Sequence, residues 1–167
     1  MVRPGDFVRL ASGEEGYVED VNWRCTTVRQ LPNKFTVVPN AKLASAVTTN
    51  YYLPERETAV LVEVGVAYGS DLEEVERVTV EVGRGVMREV DGGVASFEPF
   101  IRYHTFGDSG IDFTVILRAG EVTGQYLVKH EFRKRLHRRH REAGIEIPFP
   151  MRTVELRGRV EPDAAGR

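Results

Sequence analysis

The stretch Val-Val-Pro-Asn-Ala-Lys-Leu-Ala-Ser-Ala-Val-Thr-Thr-Asn, residues 37 to 50, contains the sharpest corner that the sequence predicts. An extended apolar run from Phe35 to Val38 leads into Pro39. A strand can end there because proline has a fixed φ and no amide hydrogen. Asn40 suits a corner because its side chain can bond to the local backbone. We therefore predict a strand, a corner and a second strand from Ala46 to Tyr52. Taken alone, this dipeptide fits a structural turn as well as a functional site.

Short motifs lie in order on both sides of this corner. Upstream, the sequence reads Gly5-Asp6-Phe7-Val8, then Gly13-Glu14-Glu15-Gly16-Tyr17-Val18, then Arg24-Cys25-Thr26-Thr27-Val28-Arg29. Downstream, it reads Gly65-Val66-Ala67-Tyr68, Ser70-Asp71-Leu72, Ala143-Gly144-Ile145 and Pro148-Phe149-Pro150. The series resembles the small-conductance mechanosensitive channel (MscS-like) family. The β-domain of that family has a Gly-Asp start, a Gly-x-x-Gly-x-Val turn, an Arg-x-Thr strand and a Pro-Asn-x-Lys corner. On this resemblance the signature residues of the chain are Gly5, Asp6, Gly16, Arg24 and Thr26.

The resemblance implies four segments along the chain. It predicts a Sm-like small β-barrel domain over residues 1–53 and a ferredoxin-like α+β domain over residues 54–150. A C-terminal oligomerisation strand over residues 151–160 and a flexible tail over residues 161–167 follow. In that strand Val154, Leu156 and Gly158 fall on one face, because side chains alternate along a strand.

The resemblance also implies a function and a place. Members form a homo-heptamer whose β-domains make a ring below the pore, while the α/β domains enclose a cage through which ions and small solutes pass. Membrane tension is felt by helices that this sequence does not contain. We expect the chain to be part of a longer channel rather than a stand-alone soluble relative, at the cytoplasmic face of the cell membrane.

In the family the corner faces the lower end of the pore-lining helix and couples it to the β-domain. Pro39, Asn40 and Lys42 match this pattern. Ala41 departs from it, since the family often has Gly or Ser at that position. We expect the partner of the Asn40 amide to lie in that helix, so that Asn40→Ala leaves the fold of this chain nearly unchanged.

The residues alone support the same division of the chain. Turn residues separate five short segments of β-forming composition, which predicts a small barrel. The predicted strands are Phe7–Leu10, Tyr17–Val21, Cys25–Leu31, Phe35–Val38 and Ala46–Tyr52.

After residue 55 the hydrophobic patterns predict the order β-α-β-β-α-β, which is the ferredoxin-like plan. The apolar strand Thr58–Tyr68 is expected to be central and buried on both faces. The first helix is predicted to begin at an N-cap Ser70 and to end near Gly83 or Gly85. The remaining predicted elements are strands Phe97–Phe106 and Ile111–Ala119, a helix Thr123–Glu142 with a buried stripe of Val128, Phe132, Leu136 and His140, and a strand Arg152–Val160.

The charge distribution, the single cysteine and the length of the apolar runs limit which kinds of protein and of binding site this sequence can form. Residues 1–119 hold 12 Lys/Arg and 18 Asp/Glu, a net charge of −6, and residues 120–167 hold 11 and 7, a net charge of +4. This polarisation suits attraction between neighbouring copies or a basic partner surface. Cys25 is the only cysteine, which excludes an intrachain disulfide and a cysteine-based metal site. No apolar run reaches the roughly 20 residues of a membrane helix.

The predicted last helix concentrates the basic residues Lys129, Arg133, Lys134, Arg135, Arg138, Arg139 and Arg141, with His130, His137 and His140 between them. A soluble Sm-like RNA-binding ring is the alternative function. The acidic remainder of the chain and the lack of an aromatic stacking motif argue against it. We favour a solvated helix face that meets the acidic first helix of its own or a neighbouring copy.

Metal binding and catalysis find little support in the sequence. His137 and His140 lie three residues apart, but no third ligand is evident and the arginines repel cations. No motif frames a nucleophile or a set of metal ligands. We therefore expect no enzyme activity, no metal and no cofactor.

Overall fold

A computed structural model describes residues 2–148 of the chain. The predicted oligomerisation strand with Val154, Leu156 and Gly158, and the predicted tail, lie outside the described residues. The described part contains two sheets, one of five strands and one of three.

The five-stranded sheet is antiparallel, with the strand order β4-β3-β2-β1-β5. Its strands are β1 Phe7–Arg9, β2 Glu15–Val21, β3 Cys25–Gln30, β4 Phe35–Pro39 and β5 Thr49–Asn50. Val8, Leu10, Val18 and Val28 form its buried core, as the alternation of apolar residues along strands requires.

The predicted second strand of the corner is wrong over most of its length. A short helix, α1 Asn40–Ser45, follows β4 directly, and only the two residues of β5 pair with β1. The segment Ala-Lys-Leu-Ala consists of good helix formers. Pro39, with φ of −58° and ψ of 132°, leads the chain into the helix. Local helix propensity therefore decides this segment.

The three-stranded sheet is antiparallel, with the order β6-β8-β7, and two long helices pack against it. Its elements are β6 Thr58–Val66, α2 Leu72–Glu89, β7 Phe100–Phe106, β8 Ile111–Ala119, a 3₁₀ turn Val122–Gly124 and α3 Gln125–Glu142. The described elements follow the predicted order β-α-β-β-α.

The prediction that the strand beginning at Thr58 is central is wrong, because β6 is an edge of the described sheet and β8 is its central strand. Val60 and Val62 are fully buried against the helices, whereas Leu61 between them is 54% exposed. In a sheet that is covered on one side, apolar and polar residues normally alternate along a strand. Because the exposed position 61 is also apolar, this alternation is not visible in the sequence of β6.

Both predicted ends of α2 need correction. Asp71, not Ser70, is the N-cap, because its carboxylate accepts hydrogen bonds from the backbone N–H groups of Glu73 and Glu74. The helix runs past Gly83 to Glu89. Gly83 is buried, and a Cβ there would crowd Pro99 and Leu117. This glycine permits close packing and does not end the helix.

The stripe predicted for α3 is confirmed. Val128, Phe132, Leu136 and His140 are all buried. The helix begins two residues later than predicted, after the 3₁₀ turn. Similarly, β7 begins at Phe100 and not at Phe97.

An aromatic cluster joins the two sheets. Phe7, Tyr52 and Val122 are buried together, with Tyr17 and Tyr51 packed against them. The hydroxyl of Tyr17 lies 3.1 Å from the hydroxyl of Thr123. Residues of β1 and β2 thus meet the turn that starts α3, which fixes the five-stranded sheet against the rest of the chain.

Candidate functional site

The corner at Pro39-Asn40 is a hydrogen-bonded junction between β3, the loop before it and α1. The Oδ1 atom of Asn40 accepts a hydrogen bond of 2.9 Å from the hydroxyl of Thr26, which is buried. Its Nδ2 atom donates one of 2.7 Å to the carbonyl of Asn22. Its backbone N–H donates one of 2.8 Å to the carbonyl of Arg24. The amide of Asn40 therefore has partners within this chain, and the expectation that its partner lies elsewhere is corrected.

The loop that Asn40 holds is also fixed from within. The Oδ1 atom of Asn22 accepts hydrogen bonds from the backbone N–H groups of Arg24, at 3.0 Å, and Cys25, at 2.8 Å. A side-chain oxygen that caps two amides in this way stabilises a tight turn. The loop Asn22–Arg24 is therefore held by hydrogen bonds from Asn40 on one side and within the loop itself.

The other signature residues stabilise the sheet at a distance from the corner. Gly5 has a φ of +89°, a conformation that favours glycine, and its N–H donates to the carbonyl of Val18. The carboxylate of Asp6 accepts hydrogen bonds from the Arg3 N–H and from the side chain of Asn50.

Gly16 and Lys42 complete the predicted set. A Cβ at Gly16 would overlap the carbonyl of Arg29 on the paired strand, so only glycine fits. Lys42 lies exposed on α1, and Pro39 is exposed at the end of β4. The structure thus brings Arg24, Thr26 and Asn40 together, with Pro39 and Lys42 exposed beside them. Gly5, Asp6 and Gly16 lie elsewhere on the sheet or at its start.

An open groove lies against the corner. Val2, Val21, Asn40 and Ala44 are among the residues that line it. The beginning of the described chain and the corner therefore lie on one surface. The order of the strands in the sheet brings them together, and the sequence pattern did not predict this.

Trp23, which was not predicted as a functional residue, lies two positions after Val21, a residue of that groove. Its side chain is 86% exposed at the tip of the loop, and the guanidinium of Arg24 lies 5.1 Å from the ring centroid. The Asn22 turn was readable in principle, since asparagine before a hairpin favours such turns. Exposure of the tryptophan has no signal in the sequence, because tryptophan is buried on average.

The basic helix meets the acidic helix of its own chain, as predicted. Arg135 lies 2.6 Å from Glu89 and Arg139 lies 3.6 Å from Glu81, both between α3 and α2. Within α3, Lys134 binds Glu131 at 2.9 Å, and this hydrogen bond lowers the pKa of Glu131. Intrachain carboxylates therefore offset part of the positive charge.

The two histidines considered for a metal lie in different surroundings. His140 is fully buried, with its Nε2 atom 3.2 Å from the hydroxyl of Thr79, while His137 is exposed. Among residues 2–148, no group of three or more His, Cys, Asp or Glu could hold a metal ion. In the same part of the chain, no helix combines the length and the apolarity that crossing a membrane requires.

Two family models match the chain in sequence order. The mechanosensitive ion channel β-domain matches residues 1–53, and the C-terminal domain of the mechanosensitive ion channel MscS matches residues 60–147. Together they cover both sheets and both long helices.

Individual proteins agree with this match. The chain is 32% identical over 166 residues to an MscS family protein of Archaeoglobus fulgidus, covering 96% of the chain and 56% of that protein. It is 31% identical to a small-conductance mechanosensitive channel of Helicobacter pylori, covering 88% and 52%. The chain thus spans about half the length of these relatives.

The fold shows the same relationship. The crystal structure of Helicobacter pylori MscS in its closed state superposes with a TM-score of 0.77 and 27% identity, covering 94% of this chain and 60% of that one. The two β-sheets and the helices of the described residues are therefore arranged as in a solved channel of this type. The chain belongs to the MscS family of mechanosensitive channels, a family of ion channels and not of enzymes.

Proposed function

We propose that this chain is the cytoplasmic vestibule region of a mechanosensitive channel. Copies of it form a homo-heptameric ring in which the segment 1–53 lies below the pore and the segment 54–150 encloses a cage that filters ions and small solutes. Membrane helices outside this sequence respond to tension. The observation that carries the proposal is the ordered match of both family domains together with the similarity to the H. pylori channel.

The edge of the five-stranded sheet supports assembly. The outer strand β4 exposes Phe35 by 61% and Val37 by 60%, on the same face. Unpaired strand edges invite pairing with another chain, and exposed apolar side chains favour a protein contact. A neighbouring copy in the ring covers this edge. The segment 151–160 lies outside the described residues; we propose from its sequence pattern, in which Val154, Leu156 and Gly158 alternate with polar residues, that it adds a second contact between copies.

The corner transmits the position of the pore helix to the ring. Asn40 does this as a positioning residue, since its amide holds the loop Asn22–Arg24 and the buried Thr26. Pro39 and Lys42 lie exposed beside it and are available to the helix. Ala41 allows a less close approach than the glycine found in many members of the family.

Light scattering tests the assembly directly. We expect the purified chain at high concentration to have the mass of seven copies, and the variant Val37→Lys, which places a charge on the β4 edge, to have a smaller mass. A monomer at every concentration would remove the β4 edge as an assembly surface. Binding of single-stranded RNA that weakens steeply with salt would instead support the RNA-binding ring.

A further inference from the structure

The exposed tryptophan is the most unusual surface residue of the described chain. Trp23 is the only tryptophan in the sequence, and 86% of it is exposed at the tip of the loop between β2 and β3. Leaving a large aromatic side chain in water forgoes the favourable free energy of burying its apolar surface. A contact outside this chain would recover that free energy.

The loop holds Trp23 in a fixed position. Asn22 is bound by Asn40 through its carbonyl, and its own side chain caps the N–H groups of Arg24 and Cys25. A rigid loop presents its tip at little cost in conformational entropy, which favours binding. The hydrogen bonds of the loop therefore hold the exposed ring of Trp23 in a defined position, ready to contact a partner.

The charges around the loop are more positive than negative. Arg24 stacks over the ring of Trp23 at 5.1 Å, and Lys42 is exposed on α1, two residues after Asn40. Of the nearby carboxylates, Glu19 is bound to Arg29 at 2.8 Å, and Asp20 is exposed on β2. An aromatic ring can bind an apolar layer, and a guanidinium beside it can bind anionic groups at the edge of that layer.

The position of the loop indicates which surface this is. Val2 and Val21 line the same groove as Asn40, so the loop lies at the end of the sheet where the described chain begins. Under the proposed function, the membrane helices join the chain at this end. Trp23 thus lies at the end of the sheet that would face the bilayer under the proposed function.

We propose that Trp23 and Arg24 anchor the ring to the membrane interface, an inference that rests on the proposed function. The indole ring lies among the lipid headgroups, where tryptophan is enriched in membrane proteins. The guanidinium binds phosphate groups of anionic lipids, because arginine is matched to phosphate geometry. In a ring, several weak anchors act together and give firm attachment.

The test uses the full chain with an N-terminal polyhistidine tag, bound to vesicles that contain a nickel-chelating lipid. The tether reproduces the local concentration that membrane helices would give. With phosphatidylglycerol vesicles, we expect Trp23 emission to shift to shorter wavelength and to be strongly quenched by lipids with brominated acyl chains. The Arg24→Gln variant should lose most of this quenching, as should vesicles of phosphatidylcholine alone.

A matched control places the only tryptophan elsewhere. The double variant Trp23→Phe, Phe106→Trp has its indole at a position that is 80% exposed in the wild type, on β7 of the other sheet, and should show neither shift nor quenching. Equal quenching of both proteins, or none for Trp23, would overturn the anchor. Quenching of Trp23 by polyuridine that exceeds quenching by lipid would overturn it in favour of nucleic acid. The light-scattering mass of the same protein, measured before vesicles are added, reports separately on the ring.

Discussion

The hydroxyl of Tyr52 donates a 2.6 Å hydrogen bond to a carboxylate oxygen of Glu121, and this contact bridges the two sheets. The other carboxylate oxygen accepts a 2.9 Å bond from the hydroxyl of Thr123. The bond from Tyr52 is the main cause that lowers the pKa of Glu121, followed by the bond from Thr123. Burial is the main cause that raises the pKa of Tyr52. The pair therefore works with a charged carboxylate and a protonated phenol, the combination that makes a strong hydrogen bond.

Removing this bond should destabilise the chain. We expect Tyr52→Phe to lower the free energy of unfolding by about 1.5–3 kcal/mol, the usual range for a bond to a charged group. A double-mutant cycle with Glu121→Gln should show clear coupling between the two positions. Tyr126, which is 54% exposed, provides the control, since Tyr126→Phe should change stability by no more than about 0.5 kcal/mol. Equal effects of the two Tyr→Phe changes in urea titrations would contradict a bridging role.

The same contact should depend on pH. The folded pKa of Glu121 is lowered, so its contribution to stability is complete above the unfolded carboxyl pKa of about 4.3. It is lost as the pH falls through the folded pKa. The melting temperature of the wild type should therefore exceed that of Glu121→Gln at pH 7 and approach it in strong acid. A constant difference across this range would show that the carboxylate charge does not matter.

His140 should give a second pH dependence in a different window. Burial is the main cause that lowers its pKa, with the neighbouring His137 second, so the folded state favours the neutral ring. Its contribution is complete above the unfolded histidine pKa of about 6.5 and falls as the pH drops below that value. Between about pH 7.5 and about pH 5.5, roughly one unit either side of that value, the wild type should lose more stability than His140→Gln. The exposed His130, changed to Gln, should leave the pH profile unchanged; a profile flattened by His130→Gln instead would count against His140.

Asn40→Ala should destabilise the isolated chain. The change removes two side-chain hydrogen bonds and leaves the buried hydroxyl of Thr26 without its Asn40 partner. We expect a loss of about 1–3 kcal/mol in the free energy of unfolding, the cost of an unsatisfied buried group. Lys42→Ala, on the exposed side of the same helix, is the matched control and should cost less than about 0.5 kcal/mol. If calorimetry gave wild-type stability for Asn40→Ala, the hydrogen bonds at the corner would be energetically unimportant.

What the sequence predicts correctly depends on short-range periodicity. The stripe Val128, Phe132, Leu136 and His140 repeats every four residues, and all four are buried. In contrast, the corner after Pro39 was predicted as a turn without a helix, although the good helix formers Ala-Lys-Leu-Ala lie in it. The strand predicted from Ala46 to Tyr52 pairs with β1 only at Thr49–Asn50. Local patterns decide such elements only when periodicity and propensity agree.

Features that depend on distant neighbours were not predictable. Gly83 looks like a helix end until Pro99 and Leu117 are seen packed against it. Similarly, the signature residues Thr26 and Asn40 are fourteen positions apart, and only the pairing of β3 with β4 brings them into contact. The family resemblance identified these positions, but it assigned the Asn40 amide a partner outside the chain.

Recording pressure-activated currents tests the central claim most directly. The membrane helices of the H. pylori relative would be joined ahead of this chain, in cells that lack other mechanosensitive channels, with the intact relative as the matched control. We expect channels that open under suction, and faster closing or inactivation under sustained tension for Asn40→Ala. A chimera that reaches the membrane at the control level and assembles, yet never conducts under suction, would contradict the assignment of this chain as a channel vestibule.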